Sequence, residues 1–337
     1  MRVLVTGGAG YLGSTLVPIL LDRGDSVTVL DRFFFGESTL PDGRPGLTRT
    51  RDDVRWCDGR LFEGIDAVVD LAALSNDPAG AMDPWKTYEI NYLGRVRVAR
   101  LAREAGVRRY VVSSSCSIYG FQDGVLAESA ELRPLTAYAR ANVLVEQDNL
   151  PLQAPTFSVT ALRFATLYGL APRMRFDLAI NGMALGAVQA GRIPVMRDGA
   201  QWRPFLHVRD AARAIVAVLD GDPAIVGGQV YNVGGEDQNY QIRPLADLVA
   251  GALTRKPAVE WYGDPDGRSY RVDFSKVRSA LGFRPALTPA DAVREIERAL
   301  ADGRVQPTME TRTVDWYRHL LEDPAAAAPV LLRGAVL

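Results

Sequence analysis

The first thirteen residues constrain this chain more than any other stretch. The apolar run 3–5 reads as a buried parallel strand, and it empties into Thr6-Gly-Gly-Ala-Gly-Tyr-Leu-Gly13, where Gly7, Gly10 and Gly13 stand three apart. Residues 14–22 continue with helical periodicity, Leu16, Val17, Leu20 and Leu21 being apolar; Pro18 is read as tolerable because it lies near the helix start. One glycine permits the tight turn out of the strand, and one lets backbone N–H groups approach a pyrophosphate. One lets the helix pack close to the sheet with its positive end toward the phosphates. Tyr11 and Leu12 lie in the same turn. Residues 26–30 form a second strand ending in Asp31, placed to accept hydrogen bonds from an adenosine ribose. The order predicts a dinucleotide site. A carboxylate at 31 repels a 2′-phosphate and favours NAD over NADP, while Arg32 beside it pulls the other way.

Further along, strands are expected at 54–58, 65–73, 109–115, 159–164 and 229–235, with helices at 88–104 and 138–149 between them. That alternation predicts an α/β fold built on a doubly wound parallel (Rossmann) sheet, with ligands beyond the carboxyl ends of its strands. The strand at 54–58 carries Asp58, followed by Gly59, toward the adenine edge; a solvent-facing turn aspartate is the alternative. Leu71, Ala72 and Ala73 keep a strand end small where a cofactor passes closely. Phe33-Phe-Phe35 either covers the adenine or packs its own loop, packing being preferred. Residues 1–169, completed by a segment near 205–235, are read as the cofactor domain, and 170–330 as mainly a smaller C-terminal α/β substrate domain. The tail 325–337 is either frayed or docked.

Charge and composition narrow the partners. A net charge of −1 on 337 residues gives no electrostatic case for nucleic acid or a membrane surface. No apolar run approaches the roughly 20 residues that span a bilayer, and the N-terminus enters a strand directly, so no signal peptide is visible. Two cysteines, Cys57 and Cys116, fit a reducing cytoplasm, and His207 and His319 without a Cys/His cluster imply no metal site.

Taken together, several short motifs occur in one family's order: the glycine turn, Asp70-Leu-Ala-Ala73, Asn91, Ser113-Ser-Ser-Cys-Ser-Ile-Tyr-Gly120, Tyr138, Arg203-Pro-Phe-Leu-His-Val-Arg-Asp210, Tyr231-Asn-Val-Gly-Gly235 and Leu281-Gly-Phe-Arg-Pro285. Over nearly its whole length the chain resembles the extended short-chain dehydrogenase/reductases, in the NAD-dependent epimerase/dehydratase branch that modifies nucleotide-sugars. The resemblance implies that Ser115 is a hydrogen-bonding hydroxyl and Tyr138 the acid/base. It adds Asn91, Phe164 and Thr166 to the NAD contacts. It places Ser75, Ser117, Asn181, Arg203, Arg268 and Arg271 toward a nucleotide-sugar substrate, with Arg173, Arg175 and Asp177 as further candidates. It also implies a homodimer paired through the helices at 88–104 and 138–149.

Two departures qualify the resemblance. The family has lysine four residues after the tyrosine, and this chain has Asn142. A phenol with a pKa near 10 is a poor base at neutral pH, and losing a cation at roughly 4–6 Å raises it by an order of 1–3 units. Arg140, two residues along the helix, points away. The family's 4,6-dehydratases carry an Asp-Glu pair directly after the serine, where this chain has Cys116 and Ser117. The leading expectation is therefore an NAD-dependent nucleotide-sugar epimerase acting at C4. Net oxidation or ketoreduction of a nucleotide-sugar is one alternative, and a catalytically impaired NAD- or sugar-binding protein, on account of Asn142, is the other.

Overall fold

The structure is a computed structural model describing residues 1–264 and 267–337. Seven parallel strands form the main sheet: β1 (Arg2–Thr6), β2 (Ser26–Asp31), β3 (Leu47–Arg51), β4 (Ala67–Asp70), β5 (Arg109–Ser115), β6 (Ser158–Phe164) and β7 (Gln229–Val233). Their order is β7-β6-β5-β4-β1-β2-β3. The chain winds outward from β1 in both directions, so the strand order reverses there and opens a crevice at the carboxyl ends of β1 and β4.

Alternation along the strands supplies two apolar faces. Val3, Val5, Val27 and Val29 pack into one core with the helices Tyr11–Asp22 and Val208–Asp220. Leu4, Leu30, Val68 and Val112 point into the other, with Arg95–Glu104 and Ala137–Asn149. Both faces are covered, as an all-parallel sheet requires. Pro18 lies in the middle of Tyr11–Asp22 rather than near its start, and the helix runs through it. The cost of about 3 kcal/mol for a mid-helix proline is offset by fully burying Leu16, Val17 and Leu20, each worth about 1.5–3 kcal/mol.

The third strand corrects the sequence reading. It is Leu47–Arg51, whereas residues 54–56 form a turn. The helix expected over 88–104 is broken into Pro84–Tyr88, a π-helical turn Glu89–Gly94, and Arg95–Glu104.

A second group of elements has its own core around Ile180, Ile193, Leu245 and Ile296. It holds the helices Ala179–Ala190, Ile242–Ala252 and Pro289–Ala301, and a three-stranded sheet in which Trp202–His207 lies between Thr166–Tyr168 and Asn239–Gln241. Strand Arg192–Met196 pairs with Ala258–Tyr262, and Phe121–Leu126 pairs with Ser269–Val272. The tail is docked: Val330 and Leu337 are buried, and the carbonyls of Val330, Ala335 and Val336 accept from the Arg32 guanidinium. Among the described residues no helix is long and apolar enough to cross a membrane.

Candidate functional site

A cavity of about 680 Å³ opens at the carboxyl ends of the main strands and runs between the two groups of elements. Gly7, Gly10 and Gly13 of the glycine turn line it. Gly7 has φ +67°, and a Cβ there would stand 2.8 Å from the Ala72 backbone. A Cβ on Gly13 would press on the Gly7 carbonyl and lie 2.6 Å from the Gly8 Cα. No side chain caps the helix that begins at Tyr11, because its N-cap is Gly10. Its first N–H groups therefore remain available to an anion.

At one end of the cavity the Asp31 carboxylate accepts from the backbone N–H groups of Ala9 (2.9 Å) and Phe33 (2.7 Å). Burial pushes its pKa up against those bonds. Asp52, Asp53 and Val54, just past β3, form the adjacent wall with Phe34, Phe35 and Tyr317. Phe34 and Phe35 both line the cavity and pack on Tyr317. Arg32 also borders the cavity, but its guanidinium is committed to Asp53 (2.8 Å) and the tail carbonyls, which leaves it poorly placed to balance Asp31.

Further along come Leu71, Ala72, Ala73, Ser113, Ser115, Tyr138, Phe164 and Thr166. Thr136 caps the helix Ala137–Asn149 through the Ala139 N–H, which aims Tyr138 into the cleft from the first turn. Burial raises the Tyr138 pKa, and the Asp77 carboxylate raises it further; hydrogen bonding from Asn142, the Arg95 charge and hydrogen bonding with Ser115 pull it down. Asn142 itself is buried behind Tyr138, and Arg140 is exposed.

The remaining wall carries four arginines, two of them paired with aspartates. Arg173 lies 3.6 Å over the Phe35 ring and donates to Thr313, and its buried Nε has no partner. Burial and then the neighbouring Arg175 pull its pKa down. Arg175 pairs with Asp177 (2.7 Å) and donates to Ser75 (3.1 Å). Arg203 stacks on Tyr270, and Arg268 pairs with Asp77. Ser117 adds a buried hydroxyl with no partner.

Five expected contacts lie elsewhere. Asp58 caps the short helical turn Gly59–Phe62 and pairs with Arg60, whose side chain holds the Asp58 pKa down at about 2. Gly59 begins that turn against Leu101. Both stand outside the cavity, because the strand before them ends seven residues earlier than Asp58. Asn91 spends its carboxamide on Leu74, accepting from its N–H at 2.7 Å and donating to its C=O at 3.0 Å. It braces the cavity loop without reaching the cavity. Asn181 is fully buried, accepting from the Gly169 N–H and donating to the Arg175 carbonyl and the Tyr11 hydroxyl. Arg271 is one residue out of phase with Arg268 and Tyr270 on an extended segment, so it lies against Trp202 instead. The sequence reading also missed Asp53 and Val54 in the cavity wall, whose signal was their place directly after a polar strand.

Residues 3–234 match the NAD dependent epimerase/dehydratase family. The chain is 31% identical over 311 residues to the dTDP-glucose 4,6-dehydratase of Streptomyces griseus, covering 87% of this chain and 92% of that one. It is 30% identical over 305 residues to the UDP-glucose 4-epimerase of Mycolicibacterium smegmatis, covering 87% and 96%. Among solved structures, MoeE5 in complex with UDP-glucuronic acid and NAD superposes with a TM-score of 0.81 at 29% identity, over 90% of this chain and 100% of that one. Because the family match takes in every strand of the main sheet from β1 to β7, the chain belongs to the NAD dependent epimerase/dehydratase family.

Proposed function

We propose that this protein is a nucleotide-sugar 4-epimerase. The carrying observation is the convergence of Tyr138 and Ser115 in one cleft, with no carboxyl group at either position after the serine. Cys116 is buried, donates to the Arg163 carbonyl at 3.2 Å, and is pushed up by burial; Ser117 carries only a hydroxyl. Elimination of water of the kind named for the Streptomyces griseus relative therefore lacks the acid pair at those two positions.

The residues present fit NAD. The uncapped helix start and the crowded glycines suit a pyrophosphate, and the unpartnered Nε of Arg173 offers a further donor. Gly7, Gly10, Tyr11, Leu12 and Gly13 would hold the phosphates and Asp31 a ribose. Asp53 and Val54 would meet the base, while Leu71, Ala72, Ala73, Phe164 and Thr166 line the path onward. NAD, when bound, would supply a carbon that accepts a hydride from the sugar and returns it to the other face of the resulting carbonyl. Tyr138 takes the proton of the C4 hydroxyl and later gives it back, and Ser115 hydrogen-bonds the same oxygen while it is a carbonyl. Arg173, Arg175, Arg203 and Arg268 provide forks suited to a substrate diphosphate, and Ser75 and Ser117 lie near the sugar.

In this reading 1–169 with 205–235 forms the cofactor half and 170–330 mainly the substrate half. Two copies pair through the segments 88–104 and 138–149, the first of which carries the exposed Leu93 and follows the exposed Trp85, and the buried thiols suit a reducing cytoplasm. The test is incubation of purified protein and NAD with UDP- and dTDP-hexoses, followed by NMR. The expected outcome is a C4 epimer at constant NADH. A net rise or fall in NADH would replace epimerisation with oxidation or reduction, and no turnover across the panel would overturn the proposal.

A further inference from the structure

Tyr138 sits in unfavourable company for a proton acceptor, since burial and Asp77 both disfavour its phenolate. The chain has three lysines, Lys86, Lys256 and Lys276, and none lines the cleft. Behind the tyrosine lies an arginine instead. Arg95 is 1% exposed and opens the helix that follows the π-helical turn. Its Nε donates to Asp70 at 3.1 Å, and its Nη2 donates to the carbonyls of Asp70 and Ser113. Its Nη1 donates to the Asn142 Oδ1 at 3.3 Å.

That last bond settles the orientation of Asn142. With the oxygen held by a guanidinium, the Nδ2 end is turned to Tyr138, where it donates to the backbone carbonyl at 3.2 Å, and hydrogen bonding from the same amide favours the phenolate. A cation on the oxygen also makes the Nδ2–H a stronger donor, because linked hydrogen bonds polarise one another. Asp70 balances the charge of Arg95 and is itself bonded by the Thr6 and Tyr110 hydroxyls, both at 2.6 Å. The positive end of this neutral pair faces Asn142.

We propose that Arg95 is a positioning residue, which holds Asn142 as a donor to Tyr138 and so delivers positive potential to the phenol through one amide. The inference rests on reading Tyr138 as the acid/base. The charged or polar groups facing the phenol are Asp77 with its partner Arg268, Arg95 with its partner Asp70, Asn142 and Ser115.

The test is titration of Tyr138 by NMR of ring-labelled tyrosine in NAD-loaded protein, with Tyr138→Phe identifying the signal. Arg95→Met and Asn142→Leu are each expected to raise the titration by about one unit, a tenfold loss of phenolate at fixed pH. The double variant should move it no further than either single one, and Arg95→Met/Asn142→Lys should bring it back. Below the pKa the phenolate fraction grows tenfold per pH unit, so the rising, acid-side limb of kcat/KM should shift to higher pH in step. If Arg95→Met strands Asp70 and fails to fold, Asn142→Leu, which keeps the ion pair, and Arg95→Met/Asp70→Asn, which removes both charges, decide the matter. An unmoved titration in the folded variants overturns the proposal. Because the titration needs no substrate, its result is independent of whether any nucleotide-sugar is turned over.

Discussion

Gly13 shows how little room the turn leaves. Its missing Cβ would meet backbone on two sides, the Gly7 carbonyl and the Gly8 Cα, and neither can move like a side chain. Gly13→Ala should therefore displace the turn itself. The expected result is NAD binding weakened at least tenfold, about 1.4 kcal/mol, with far-UV circular dichroism retained; unchanged affinity by calorimetry would count against the turn as the phosphate site. Such residues are legible in a sequence because their roles are local: three glycines and an acid at fixed distances, or a tyrosine at a helix start. Arg95 is not legible in that way. Forty-seven residues and a change of element separate it from Asn142, and alone it reads as one more arginine on an amphipathic helix.

Elements were easier to foresee by type than by position. The buried strands β1, β4, β5 and β6 announce themselves as apolar runs, whereas β3 is Leu-Thr-Arg-Thr-Arg on an open sheet edge. An edge strand exposed to water needs no apolar alternation, so Val54 and Trp56 nearby read as the strand instead, which puts Asp58 at the cleft in place of Asp53. The π-helical turn around Asn91 was equally silent, since an extra residue in a helix leaves its composition unchanged. The same helical run carries the exposed surface invoked for pairing. Trp85 is 80% exposed and Leu93 56%, eight residues apart and close to one face. A dimer is expected by light scattering at micromolar concentration, and Trp85→Ser/Leu93→Glu should give a folded monomer. A wild-type monomer would remove this pairing.

In the whole molecule the seventh strand arrives late. β7 lies beside β6 in the main sheet, yet the chain between them first builds Thr166–Tyr168, Ala179–Ala190, Arg192–Met196, Trp202–His207 and Val208–Asp220. Residues 1–169 alone would therefore leave β6, buried at all seven positions, as an uncovered edge. Such edges invite pairing between chains. The fragment 1–169 is expected to aggregate or to lack cooperative unfolding, while the full chain unfolds cooperatively; a soluble, cooperative fragment would refute this.

That late strand also has a consequence during synthesis. Ribosomes add about 5–20 residues per second, so β6 waits on the order of several seconds after its own translation before its neighbour exists. Until then the most apolar edge of the sheet is open in the nascent chain. The vulnerable interval is set by the elements inserted between the two strands, so lengthening that insertion would prolong the exposure even where the finished fold accommodated it.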